Sequence, residues 1–353
     1  MTKNCLVTGG AGFIGCAISS LLKEHFDRIV VVDNLHPQVH PTHKRPDALD
    51  PKVELFIADV TAEETWDSLL PDFVPHTVIH LAAETGTGQS LTEGTRHAQV
   101  NVVGTTRMLD AFVKHSCVPS RIILTSSRAV YGEGAWSDAQ GNIFYPGQRS
   151  QAMLAAGEWN FPGLTCLPFD AMRTATHPTS IYGATKLTQE LVVQAWALSF
   201  GVETGVLRLQ NVYGPGQSLS NPYTGIVPLF ARIARGGQSI PLYEDGEIVR
   251  DFVYIDDVAR AVVRMAIGSI PSSVAYDIGS GTPTTIRQLA EIIAHIYSAP
   301  KPVVNGKFRN GDVRAASGVV TRAKTDLGWL PQWGVETGVR ALCSWIDSTL
   351  PIT

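Results

Sequence analysis

The run VTGGAGFIG at positions 7–15 decides how the rest of the chain is read. Gly9, Gly12 and Gly15 fall in the spacing G-x-x-G-x-x-G between an apolar run and a helix-like one. Small residues at such a junction let backbone N–H groups approach a pyrophosphate, where the helix dipole favours an anion. Turns use glycine freely, so the spacing gains its meaning from its surroundings. The next apolar run, IVVVD (29–33), ends in Asp33. A carboxylate there accepts hydrogen bonds from an adenosine ribose 2′-hydroxyl and repels a 2′-phosphate, which favours NAD over NADP.

Further runs repeat the pattern: VELFIAD (53–59), TVIHLAA (77–83), RIILTSS (121–127) and ETGVLRL (203–209), with helical stretches between them. Strands alternating with helices predict an α/β protein, a Rossmann doubly wound parallel sheet covered on both faces. Ligands of such sheets sit at the carboxyl ends of the strands. The candidate cofactor contacts are therefore Phe13 and Ile14 in the glycine turn, and Asn34 beside Asp33. They also include Asp59 and Val60, then Leu81, Ala82 and Ala83, and Asn101 at the start of a helix. Asp59 serves equally well as a helix cap.

From residue 211 glycine and proline become frequent, which reads as a smaller C-terminal substrate-binding lobe. The Rossmann domain spans 1–210 with a weakly patterned insertion at 134–178. The second lobe spans 211–353, with 252–280 returning to the first. Helices are expected over 101–115 and 182–200. The second of these repeats Leu187, Leu191, Ala195 and Leu198 on one face, as a core or a subunit interface would.

The 353 residues are 44% hydrophobic and 17% charged, the composition of an ordinary globular protein. A formal charge of −4 provides no basic excess for nucleic acid. No apolar run reaches the roughly 20 residues of a membrane span, and the N-terminus does not read as a signal peptide. Five scattered cysteines without a C-x-x-C pair suit reduced thiols in a cytoplasmic enzyme, with no metal site. His36, His40 and His43, interrupted by Pro37 and Pro41, read as a solvated loop.

The stretch TSIYGATKLTQE (179–190) places Tyr182 and Lys186 one helical turn apart on the same face. Together with the glycine motif and Ser126-Ser127 at the end of RIILTSS, it resembles the extended short-chain dehydrogenase/reductase superfamily over nearly the whole chain. The resemblance implies a catalytic triad of Ser127, Tyr182 and Lys186, the last two also touching the cofactor. A free phenol titrates near ~10 and is a poor base at neutral pH. The Lys186 ammonium and the nicotinamide charge would favour its phenolate.

The second lobe is similar to those of nucleotide-sugar enzymes. By that similarity Asn211, Arg250 and Arg309 bind a diphosphate and Tyr243 packs against the base, while Arg314 has no assigned part. Dehydratases of this group carry an Asp-Glu pair directly after the catalytic hydroxyl residue. Here Arg128 and Ala129 stand there, which disfavours dehydration and leaves 4-epimerisation with a retained NAD.

A narrower resemblance, to the dTDP-L-rhamnose 4-epimerase group, rests on AAETGTGQS (82–90), SSRAVYGEGAW (126–136), YPGQRS (145–150), LAAGEW (154–159) and NPYTGI (221–226). It implies sugar contacts at Gly86, Gln89, Ser90, Ser127 and Asn221. Other UDP- or dTDP-sugars stay open as substrates. A 4-keto nucleotide-sugar reductase and a non-catalytic dinucleotide sensor are the alternative classes. Superfamily relatives imply a homodimer formed by the two long helices.

Overall fold

Every second residue of a strand points to the same side, and the first strand sorts its side chains accordingly. Cys5 and Val7 enter one core and Leu6 the other. The strand is β1 (Asn4–Thr8), followed by β2 (Arg28–Asp33), β3 (Glu54–Ile57), β4 (Thr77–His80), β5 (Arg121–Ser127), β6 (Glu203–Leu209) and β7 (Val274–Ile278). They form one parallel sheet in the order β7-β6-β5-β4-β1-β2-β3. The computed structural model describes residues 3–219, 225–269, 271 and 274–350.

The chain runs outward from β1 through β2 and β3, then crosses back to β4 on the other side of β1. This reversal opens a crevice at the carboxyl ends of β1 and β4, where the loops on either side diverge. The glycine turn leaves β1 at that point.

Helices cover both faces. Ile18 and Leu22 from Phe13–Leu22, with Val258, Val262 and Met265 from Ile255–Ile267, close one side. Met108 and Phe112 from Gly104–Lys114, with Val193 and Ala197 from Ile181–Phe200, close the other. Upstream of Gly104 the helical path continues through a π turn, Gln99–Val103, into Gly94–Ala98. The π turn carries Asn101, fully buried.

The smaller lobe is built around the strand Val249–Tyr254, which pairs with Asn211–Tyr213, Pro283–Thr285 and Ala315–Ala316. The helices Ile226–Arg235, Ile286–Ile296 and Val335–Thr349 pack around it. The chain then returns: Ile255–Ile267 lies on the central sheet, and β7 pairs with β6 along Val274↔Gly205 to Ile278↔Leu209. The insertion holds a small antiparallel sheet with Trp136–Ser137 between Ile143–Phe144 and Thr165–Cys166. Its Arg149 is buried and joins Glu133 and, in the second lobe, Glu244. No helix among the described residues is long and apolar enough to cross a membrane.

Candidate active site

Gly9 leaves β1 with φ +67°, and its N–H donates to the Val32 carbonyl at 2.7 Å. A Cβ on Gly9 would sit 2.7 Å from the Ala82 backbone, and one on Gly15 would collide with the Gly10 carbonyl. A Cβ on Gly12 would meet only the Gly9 oxygen, at 3.3 Å. Two of the glycines thus let the loop pack, while Gly12 leaves a space that a ligand phosphate can use. This is the cradle a dinucleotide needs.

The crevice has a volume of about 820 Å³. Gly9, Gly12, Phe13, Ile14 and Gly15 form its floor, with Asp33, Asn34, Asp59 and Val60 along one side. Leu81, Ala82, Ala83 and Gly86 lie opposite. Asp33 is held in place because its two oxygens accept from Ala11 N (3.0 Å) and Leu35 N (2.9 Å). A carboxylate oxygen has two lone pairs, so each keeps one for a ribose hydroxyl. Asp59 accepts from Thr61 N and Oγ1 and from Asn34 Nδ2. Burial raises its pKa, but these hydrogen bonds outweigh it and hold the group below the usual carboxylate range. It lines the crevice, while the helix that follows has Ala62 at its N-cap and no side-chain cap.

The histidine loop departs from the solvated reading. His36 and His40 line the crevice, and His40 comes within 4.0 Å of Asp33. Burial lowers the His40 pKa, so the ring is neutral there. Arg96, which sequence reasoning missed, also reaches this wall, where it donates to Glu84 at 2.8 Å. Asn101 is fully buried. Its amide donates to Glu84 O and Thr185 Oγ1 (3.0 Å each) and its oxygen accepts from Glu84 N (2.7 Å), so it clamps the β4 loop to the Tyr182 helix and does not line the crevice.

Ser127 meets Tyr182 just past Thr125, where the crevice reaches β5, with Lys186 one turn further along the Tyr182 helix. Ser180 caps the helix with its oxygen on Gly183 N at 3.0 Å. Gly183 lies so close to the Ala129 carbonyl that no larger residue fits. This contact brings the Tyr182 phenol into hydrogen-bonding range of Ser127. The charge arrangement differs from expectation. Burial raises the Tyr182 pKa, and the Ser127 hydrogen bond and the Arg128 charge pull it back. Lys186 is itself lowered to about 7 by burial, opposed by Glu190. Its ammonium is therefore only partly populated at neutral pH.

On the substrate side the structure divides the candidates. Asn211 accepts from Arg128 Nε at 2.8 Å. Arg250 is buried and reaches Asp312 at 3.4 Å. The Arg309 guanidinium lies over the Tyr243 ring, 5.2 Å from its centre. Gln89 and Ser90 are both buried. Gln89 is spent on Gln38 and Glu93, and Ser90 donates to Thr87 O, because the loop folds on its own polar groups. Arg314 is held by Glu244, Asp245 and Asn160, a structural position. Asn221 lies outside the described residues.

A family model described as the NAD dependent epimerase/dehydratase family matches residues 5–148 and 163–279. The chain is 59% identical over 348 residues to a dTDP-L-rhamnose 4-epimerase of Burkholderia thailandensis, covering 99% of this chain and 96% of the other. Among solved structures it is similar to UDP-glucose 4-epimerase from Thermotoga maritima with UDP-glucose, at TM-score 0.82 and 29% identity over 99% and 100% of the two chains. A UDP-glucose 4-epimerase of Thermus thermophilus in complex with NAD has TM-score 0.77 and 25% identity, over 99% and 100%.

Proposed function

We propose that this chain, which belongs to the NAD dependent epimerase/dehydratase family, interconverts dTDP-L-rhamnose and dTDP-6-deoxy-L-talose at C4. The observation that carries the substrate is the 59% identity to a dTDP-L-rhamnose 4-epimerase across nearly the whole of both chains. The arrangement of the site supports the reaction type. Ser127 meets Tyr182, and the residues that follow are Arg128 and Ala129, neither of them an acid that could drive elimination of water.

Bound NAD supplies a reversible hydride acceptor for the sugar C4. Gly12, Asp33 and the crevice walls are placed to hold it. Ser127 orients the C4 oxygen, and Tyr182, whose phenolate the positive nicotinamide of bound NAD would favour against the effect of burial, takes its proton as the carbon is oxidised. The 4-keto sugar turns about its diphosphate linkage, and Tyr182 returns the proton once the other face is presented. Lys186 has three N–H donors, of which Gln189 takes one, leaving two for the nicotinamide ribose.

A proton NMR time course of the purified enzyme with dTDP-L-rhamnose and no added cofactor tests this. New sugar signals with the H4 coupling of the opposite configuration support it. An unchanged spectrum after NAD is added removes this substrate, and consumption of a 4-keto sugar only with added NADH or NADPH replaces the epimerase with a reductase.

The proposal extends to a homodimer and a cytoplasmic location. Leu191 and Leu198 on the Tyr182 helix are 59% and 82% exposed, with Phe200 beyond them, an apolar stripe that a partner helix would cover. Five free cysteines suit a reducing compartment. Light scattering at twice 38.1 kDa supports the dimer; a monomer at micromolar concentration rejects it.

A further inference from the structure

The turn after Ser127 holds a guanidinium that the mechanism above does not use. Arg128 donates from Nε to Asn211 Oδ1, and among the described residues this is its one hydrogen-bond partner. A guanidinium has five N–H donors, so the four on its terminal nitrogens have no protein acceptor. Its charge lies against that of Arg250, whose terminal nitrogens reach Val249 O at 2.7 Å and a distant Asp312 carboxylate at 3.4 Å. Glu133, the other acid acting on Arg128, is already engaged by Arg149 and by the Arg314 N–H.

Arg250 is buried and Arg128 half-buried, and two like charges at close quarters are unfavourable unless an anion joins them. Desolvation, with the neighbouring Arg250 charge, pulls the Arg128 pKa down to about 9. A phosphate oxygen supplies what is missing, since a guanidinium edge binds two such oxygens with matched geometry.

Position identifies which phosphate. Arg128 lies close enough to feel the charges of both Arg250 and Tyr182. Its turn is fixed there because Gly183, next to Tyr182, packs on the Ala129 carbonyl. A pyranose whose C4 oxygen meets Tyr182 carries its anomeric carbon on the opposite side of the ring. The phosphate attached to that carbon therefore points towards the two arginines.

We propose that Arg128 is a direct substrate contact that joins Arg250 in holding the sugar-bearing phosphate of the nucleoside diphosphate. This rests on the nucleotide-sugar reading above. It adds a residue that sequence position alone presents only as the loss of an acid.

Titration calorimetry with dTDP and dTMP separates the two claims, because dTMP lacks the sugar-side phosphate. Wild-type enzyme should bind dTDP more tightly than dTMP. Arg128→Gln should lose about tenfold or more in dTDP affinity, in line with a charge-assisted hydrogen bond, with dTMP affinity unchanged. Arg128→Lys, which keeps a point charge but not the fork, should recover part of the loss. It also provides the dTDP/dTMP comparison should the Gln variant not fold. An equal loss for both nucleotides, or dTDP affinity within about twofold of wild type, overturns the role of Arg128. A wild-type enzyme that prefers neither dTDP over dTMP nor UDP over UMP overturns the nucleotide-sugar reading itself.

Discussion

Lys186 donates a hydrogen bond from Nζ to Oε1 of Gln189, three residues further along the same helix, and both side chains are buried. The Gln189 amide then donates to Thr105 Oγ1 at 2.9 Å and lies 3.2 Å from His80 Nε2. Thr105 donates to the Asn101 carbonyl. Lys186 is thus anchored through neutral groups to the same π turn that clamps the β4 loop. A neutral acceptor steadies the ammonium without adding a charge beside it.

Replacing Gln189 by Leu removes the acceptor for the charged form. The Lys186 pKa, already lowered to about 7, should fall further. The alkaline limb of the pH–kcat profile should move about one unit towards acid, since a hydrogen bond to a charged group contributes ~1.5 kcal/mol. Gln189→Glu should move it the other way. An unshifted limb in both variants would show that Gln189 only fills space.

Lys186 also makes stability depend on pH. Its folded pKa is depressed from 10.5 to about 7. Below about 7 both folded and unfolded states hold the proton, and the native state bears the burial penalty in full. Between about 7 and 10.5 the native state releases its proton first, so stability rises with pH. Lys186→Met should therefore melt at a higher temperature than wild type at pH 6, with the gap closing towards pH 10, while turnover is lost. Calorimetric scans at the two pH values measure this.

Asp33 should set cofactor choice. Asp33→Asn keeps an oxygen for Ala11 N or Leu35 N but removes the charge that repels a 2′-phosphate. Reconstitution of the stripped enzyme should show the NAD over NADP preference falling by about tenfold or more, equivalent to ~1.4 kcal/mol. An unchanged ratio would place the discrimination elsewhere, with His40 the nearest group.

Arg149→Met should break the joint between the insertion and the second lobe. The guanidinium binds both Glu244 oxygens, at 2.8 and 2.9 Å, and donates to the Asp312 carbonyl. Removing one partner of a buried ion pair costs about 3–5 kcal/mol. Denaturant unfolding should report a loss of that order. The KM for the nucleotide sugar should rise as well, because the Asp312 side chain reaches Arg250.

Much of the site could be read from short stretches. The glycine turn and Asp33 depend on neighbours within a few residues, and the Tyr182–Lys186 pair gained its meaning from the resemblance to a known superfamily rather than from its spacing. The expected 182–200 helix matches Ile181–Phe200 closely because its cap, Ser180, and its terminating Gly201 are local signals. The surroundings of Gln89, Ser90 and Asn101 were not legible, for the opposite reason. Their residue types suit ligand binding, but the loop and the π turn turn their polar atoms inward to satisfy buried backbone and side-chain groups.

The parallel sheet and the cofactor crevice follow from periodicity and from motifs whose parts are close along the chain. Partners far apart in the chain decided the electrostatics. Arg128 meets Asn211 and Arg250, Arg149 meets Glu244, and Tyr182 answers more to Arg128 than to the lysine one turn away. Local spacing constrains which face of an element a side chain occupies. Which charge it meets there, and how dry the meeting is, depends on segments that only the folded chain brings together, and those two quantities set the protonation of the site.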